Sequence, residues 1–315
     1  MKMPESLDAS KTCILIPTFA AYLPVALVTH SLLSRYWPRH PPLFFAGLSE
    51  GSLPGSLLPL RSDVKDWCSV MADACDDLGH MGFTDVYLVL DDHPPLNPCH
   101  CRHLNTTLPM LRAEFDATFI GLNGWGYGRS GRKVTGTICS PKYWNMEHVD
   151  DAFAWRYSLH PGLWCIERLG ALARAVETLN PPGKRSAWNF ERTANKGSFA
   201  ADLGFANNCY RVCGYRMTAS STRYLRYRAA YLSVLLYKRL QSTLSGRPLT
   251  VDATLNAIGY YYEGPYPLFW SGLIVQGRLN PALSRHIAIA RRRDLAALLS
   301  SDAMKRFSAP SPDEA

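Results

Sequence analysis

Two hydrophobic rhythms alternate along the first half of the chain, and they predict strands and helices in turn. Cys13-Ile14-Leu15-Ile16 is an apolar run closed by Pro17, the composition of a strand buried on both faces. Pro24 to Tyr36 follows at helical spacing, its proline in the first turn, where no intrahelical bond is lost. Pro42 to Gly47 repeats the strand composition. Asp66 to Leu78 sets Trp67, Val70, Met71, Cys75 and Leu78 at helical spacing, with Asp63 or Asp66 near the N-terminus to cap it. Val86 to Leu90 reads as a third buried strand, Leu108 to Phe115 as a helix and Ala117 to Leu122 as a further strand. This alternation predicts an α/β fold with a mostly parallel or mixed sheet flanked by helices.

The second half is less regular. Gly124 to Gly131 holds four glycines but lacks the lysine of a phosphate loop and opens no helix, so it reads as a glycine-rich hairpin or loop. Ile166, Leu169, Leu172 and Ala175 mark a helix ended by Asn180-Pro181-Pro182-Gly183, and Ser186 opens another segment. Phe205 to Met217 has strand character, Thr222 to Leu240 is helical, and Pro281 to Arg306 reads as a terminal helix. The expected division is an α/β portion over 11–215, a mostly helical basic portion over 216–307, and a disordered tail over 308–315.

The composition is that of an ordinary globular chain, 47% apolar and 19% charged over 315 residues. No apolar stretch approaches the ~18–20 residues that span a bilayer. Met1 to Lys11 carries acids and no apolar segment, which predicts no signal peptide. Nine scattered cysteines, several in apolar runs, fit a reducing compartment, so a cytoplasmic location is expected. The net charge is +8, and its distribution is uneven: from Leu203 to Val251 there is no acid, yet eight arginines and lysines. Such a field attracts phosphates on nucleotides, nucleic acid or anionic lipid.

The sharpest chemical feature is Asp91-Asp92, placed where an apolar strand ends before His93-Pro94-Pro95. Two prolines cannot continue a central strand. The acids therefore fall at a strand's exit, the edge at which α/β sheets bind ligands, and paired carboxylates there suit Mg²⁺ or Mn²⁺ on a diphosphate. Cys99-His100-Cys101-x-His103 packs its ligands too closely for a common zinc module. No Gly-x-Ser-x-Gly elbow is present. Glu191 stands beside Trp188 and Phe190, and bulky aromatics raise a carboxylate's pKa toward the range a general base needs.

The order Leu90-Asp91-Asp92-His93, then Tyr157-Ser158-Leu159-His160-Pro161-Gly162-Leu163-Trp164, then Ser186-Ala187-Trp188-Asn189-Phe190-Glu191 resembles a group of bacterial GT-A-like glycosyltransferases of surface-polysaccharide loci. The likeness covers about residues 11–215. It implies a GT-A-like sheet, a nucleotide-sugar donor, a glycan or lipid-linked glycan acceptor, and an anionic membrane surface as partner, with no nucleic acid. Pro17 and Thr18 would face the nucleotide, and Asp91 and Asp92 would bind the Mg²⁺ or Mn²⁺ and the donor. Arg211, first of the basic series, would help neutralise the diphosphate. His160, Trp164 and Trp188 would shape the acceptor side, and Glu191 would act as the base of an inverting transfer. The chain departs from the pattern with His160 in place of glutamine and His93 where an acid often completes the motif, which loosens the expected dependence on a metal. Two other readings stand beside this one: a sugar-phosphate nucleotidyltransferase, and a nucleic-acid or polyanion binder using the Tyr/Arg-rich segment 210–239.

Overall fold

The computed structural model describes residues 11–48, 53–61, 66–124, 131–133, 145–149, 156–196, 199–204 and 208–213. Towards the C-terminus it describes 236, 240, 243–244, 261–262, 264–269, 271–275, 277–280, 283, 287 and 293–307. Its centre is a nine-stranded mixed sheet of β1 (Thr12–Pro17), β2 (Leu43–Ala46), β3 (Ser56–Leu57), β4 (Asp85–Leu88), β5 (Phe119–Gly124), β6 (Gly131–Lys133), β7 (Asn145–Val149), β8 (Gly162–Cys165) and β9 (Cys209–Cys213). The strand order is β3-β2-β1-β4-β8-β5-β9-β7-β6. Strands β3, β2, β1 and β4 are mutually parallel, with Leu15 opposite both Phe44 and Leu88.

Both faces of β1, β2 and β4 are covered, which suits their near-continuous apolar runs. Cys13 and Leu15 of β1 point to the side packed by α2 (Trp67–His80), α4 (Ile166–Leu179) and α5 (Ala187–Ala194). Ile14 and Ile16 point to the other, with residues of α1 (Leu23–Tyr36) and α3 (Leu108–Glu114). Asp66 does cap α2, its carboxylate accepting from Ser69 N–H at 2.9 Å.

The sheet direction places the site. The chain leaves β1 for β2 on one side, then returns to lay β4 on the other, so strand order reverses between β1 and β4. Strand β8 enters antiparallel between β4 and β5, and Gly162 at its start lies opposite Leu88 and Gly121. The turn leading into β8 therefore shares an edge with the chain leaving β4. A side chain at Gly162 has no room, because the Phe119 ring would lie 2.9 Å or less from its Cβ.

The C-terminal portion, expected to be mostly helical, carries short strands beside its helical residues where it is described. Among the described residues it contains two short antiparallel pairs, β10 (Tyr261–Tyr262) with β11 (Leu268–Phe269) and β12 (Ile274–Val275) with β13 (Arg278–Leu279). Within the predicted terminal helix, Leu283, Ile287 and α6 (Arg293–Leu299) are helical where described, and a 3₁₀ turn over Asp302–Phe307 follows. The Ser300 hydroxyl donates back to the carbonyls of Ala296 and Ala297 at 2.8 and 3.2 Å, an alternative to continuing the helix. Phe269, Leu273, Leu295, Leu299, Met304 and Phe307 pack with Val25, Val28 and Leu32 of α1 and with Leu96, so this portion covers α1 and the chain after β4. The glycine-rich loop over 125–130, most of 222–240 and the tail from Ser308 lie outside the described residues.

Candidate active site

The site forms where β1 and β4 part. Their carboxyl ends flank the switch in strand order, the crevice in which open α/β sheets take ligands. Thr18, just past β1, donates its hydroxyl to Asp91 Oδ2 at 2.8 Å, and Thr29 of α1 donates to the Asp91 carbonyl. Gly47, just past β2, has a φ of +91°, and a Cβ there would crowd the Thr18 carbonyl. Burial, aided by the neighbouring Asp92 carboxylate, pushes the Asp91 carboxyl up to about 7, against the pull of the Thr18 hydroxyl and His93.

Asp92 and His93 form a pair. His93 Nδ1 lies 2.6 Å from Asp92 Oδ1, and because an ionised carboxylate can only accept, Nδ1 carries the proton. A turn closed by His93 N–H donating to the Leu90 carbonyl at 3.0 Å fixes the backbone here. The C-terminal portion holds it from outside: Leu273 N–H donates to the Asp92 carbonyl at 2.6 Å, and the Tyr266 hydroxyl donates to the His93 carbonyl at 3.0 Å. Between them sits Gly272 with a φ of +70°, its absent Cβ leaving space for the Asp92 carboxylate.

The turn before β8 supplies the opposite wall. The rings of His93 and His160 meet edge to face, with centroids 5.1 Å apart. Leu159 N–H donates to Glu191 Oε1 at 2.6 Å, and the Ser158 hydroxyl also bonds to the Glu191 carboxylate. Ser158 Oγ lies 2.8 Å from His160 Nδ1. Burial pushes the Glu191 carboxyl up, while Leu159 N–H, Ser158 and His93 each pull it down. The product is a buried carboxyl group held at a set angle.

Local sequence explains how Glu191 gets there. Ser186 caps α5 by accepting from Asn189 N–H at 3.3 Å. Phe190 then enters the core against Trp67 and Trp164, and Glu191 is buried beside it. Asn195, at the end of α5, clamps the helix to the turn. Its amide donates to the Tyr157 and Glu191 carbonyls at 2.8 and 2.7 Å, and its oxygen accepts from Tyr157 N–H at 2.9 Å.

The sequence-predicted residues thus divide. Thr18, Asp91, Asp92, His160 and Glu191 come to one edge of the sheet. Pro17 is buried in β1 beneath them. Trp164 is fully buried against Phe119, Tyr157 and Phe190 and presents nothing to an acceptor, whereas Trp188 is 57% exposed on α5. Arg211 sits within β9, beyond β8 and β5 from Asp92, buried and 3.6 Å from Glu147. Tyr210 and Arg211, at the start of the Tyr/Arg-rich segment, are buried in the sheet, and nearly all of the rest lies outside the described residues.

Four residues that position the site were not singled out from sequence: Thr29, Ser158, Asn195 and Gly272. Ser158 stood inside a quoted motif, but neither its bond to Glu191 nor the Asn195 clamp has a local signature.

No family model matches the chain, and no curated protein matches it. Among the described residues, no three carboxylate, imidazole or thiol groups converge as a metal cluster, and no helix is long and apolar enough to cross a membrane. Two adjacent carboxylates still fit an ion of the Mg²⁺ type, which takes one or two protein carboxylates and fills its shell with phosphate oxygens and water.

Proposed function

We propose that the protein is a glycosyltransferase of GT-A-like architecture that moves a sugar from a nucleotide-sugar donor to a glycan acceptor, lipid-linked at an anionic membrane face. The observation that carries this reading is the meeting of Asp91-Asp92, at the strand-order switch, with a buried carboxylate of raised pKa, Glu191, on the opposite wall.

In this reading the donor's diphosphate lies over the β1–β4 crevice, and Asp91 and Asp92 would hold Mg²⁺ or Mn²⁺, which offsets charge on the departing diphosphate when bound. Thr18 and Thr29 fix Asp91, and His93 and the Gly272 turn fix Asp92, so neither carboxylate must reorganise as charge develops. Glu191 Oε1 is held by Leu159 N–H, leaving Glu191 to take the proton of an acceptor hydroxyl as that oxygen attacks the anomeric carbon. One base in line with that carbon suits inversion.

The test compares wild type with Glu191→Gln in an assay that follows both donor binding and nucleotide release across a panel of nucleotide sugars. Loss of the base slows transfer by about 10²–10⁴-fold with donor affinity unchanged. A Glu191→Gln enzyme that turned over at the wild-type rate would remove Glu191 as the base.

A further inference from the structure

Glu191 is only 9% exposed, and its Oε1 accepts from Leu159 N–H. An acceptor seated on such a carboxyl covers what water still reaches, so a proton once taken needs a side route out. The turn before β8 offers a hydrogen-bonded chain for it. The Ser158 hydroxyl bonds to the Glu191 carboxylate, and Ser158 Oγ lies 2.8 Å from Nδ1 of His160, a half-buried ring. The spacing is held from two directions. Asn195 ties the Tyr157 backbone to the end of α5 with bonds of 2.9 and 2.8 Å, and His160 N–H donates to Ser158 Oγ at 3.3 Å. A serine hydroxyl donates one proton and accepts others, so it can pass a proton on without leaving its place.

We propose that Ser158 and His160 form a proton relay for Glu191. A protonated Glu191 gives its proton to Ser158 Oγ as the Ser158 proton passes to His160 Nδ1, and the resulting imidazolium loses one proton to water. Glu191 is left ionised for the next acceptor, and the serine regains the proton it gave. An imidazole suits the outer end, because histidine takes and releases protons near neutrality. The other titratable group against this ring is His93, edge to face with it at 5.1 Å. His93 Nδ1 is committed to Asp92, so that pair flanks the relay and does not extend it. Ser158 and His160 act through Glu191 and are positioning residues. The inference deepens the proposed function and rests on Glu191 as its base, yet its test needs no transfer activity.

The full-length chain carrying ¹³C-labelled histidine is titrated across neutral pH by NMR, with His160→Gln and His93→Gln identifying the two ring signals. Glu191→Gln lowers the His160 midpoint by about one pH unit, because it deletes the negative end of the chain. In a Ser158→Ala background the same substitution moves that midpoint far less, leaving only the interaction through space. Ser158→Thr keeps the hydroxyl and restores the shift. Should Ser158→Ala melt early, the comparison of wild type with Ser158→Thr still decides, since absence of a shift in both overturns the relay. The relay is also overturned by a shift of equal size with and without the hydroxyl, or by one confined to His93. Turnover by Glu191→Gln at the wild-type rate would remove Glu191 as the base while leaving this coupling measurable. An uncoupled His160 would remove the relay while leaving Glu191 as the base, so the two readings fall separately.

Discussion

Gly272→Ala probes how the C-terminal portion shapes the site. With a φ of +70°, Gly272 lies in the left-handed region, where an L-residue costs ~1–2 kcal/mol. A Cβ there would also stand 2.9 Å from Asp92 Cγ and 3.0 Å from His93 Cε1, and nearer still to Asp92 Oδ2. Carbon atoms settle at about 3.5–4.0 Å. Either the Gly272 turn or the Asp92–His93 pair must therefore shift, an overpacking cost of ~1–3 kcal/mol. Gly277, between β12 and β13, is the control: its φ is +75°, and nothing lies within 4 Å of a Cβ built there. Both alanines narrow the unfolded chain by a similar ~0.4–1 kcal/mol, so that contribution cancels in the comparison. Urea denaturation should show Gly272→Ala less stable than Gly277→Ala by about 1–3 kcal/mol, the overlap alone. Gly272→Ala should also weaken nucleotide binding, because the carboxylate it displaces is Asp92, while Gly277→Ala should not. Equal stability costs with equal nucleotide binding would refute the contact as a determinant of the site.

Ser158→Ala removes one of the groups that pull the raised Glu191 carboxyl down, so its pKa rises further. The ionised base appears only as pH climbs through that value, so the acid limb of the kcat/KM profile should move to higher pH; an unmoved limb would mean that Ser158 does not act on Glu191. Asp91 should set a pH dependence of stability. Its carboxyl is pushed up to about 7 when folded and titrates near 3.9 in an unfolded chain, so its contribution is fully present below about pH 4 and lost as pH rises through about 7. The interval corresponds to as much as ~4 kcal/mol. Melting temperatures taken across that range should fall less for Asp91→Asn than for wild type, and identical slopes would show that Asp91 is not the group responsible.

Much of the sheet was legible because its strands are buried on both faces. Cys13 to Ile16 and Val86 to Leu90 had no polar alternation to confuse the period, and prolines marked their ends. Asp66 was legible as a cap because capping is local. Strand β8 was harder to place: its antiparallel entry between β4 and β5 depends on pairings distant in sequence. The same two-sided burial hid the orientation of Trp164, since an aromatic in a covered strand looks like one lining a cleft. His93 was noticed only as a departure from an acidic pattern. Its bond to Asp92 is local, but its approach to His160 and its influence on Glu191 arise from the sheet bringing three separate segments to one edge.

The most direct test of the account is the melting temperature of wild type and Asp92→Asn with UDP, GDP, CMP or dTDP, each with and without Mn²⁺ or Mg²⁺. A ligand at ~100 times its Kd adds about 2.7 kcal/mol to the stability of the state that binds it. The account predicts that one nucleotide stabilises wild type and fails to stabilise Asp92→Asn, with the metal arms showing whether the carboxylate pair works through an ion. Absence of a shift with every nucleotide, with or without metal, would contradict a donor site at Asp91-Asp92.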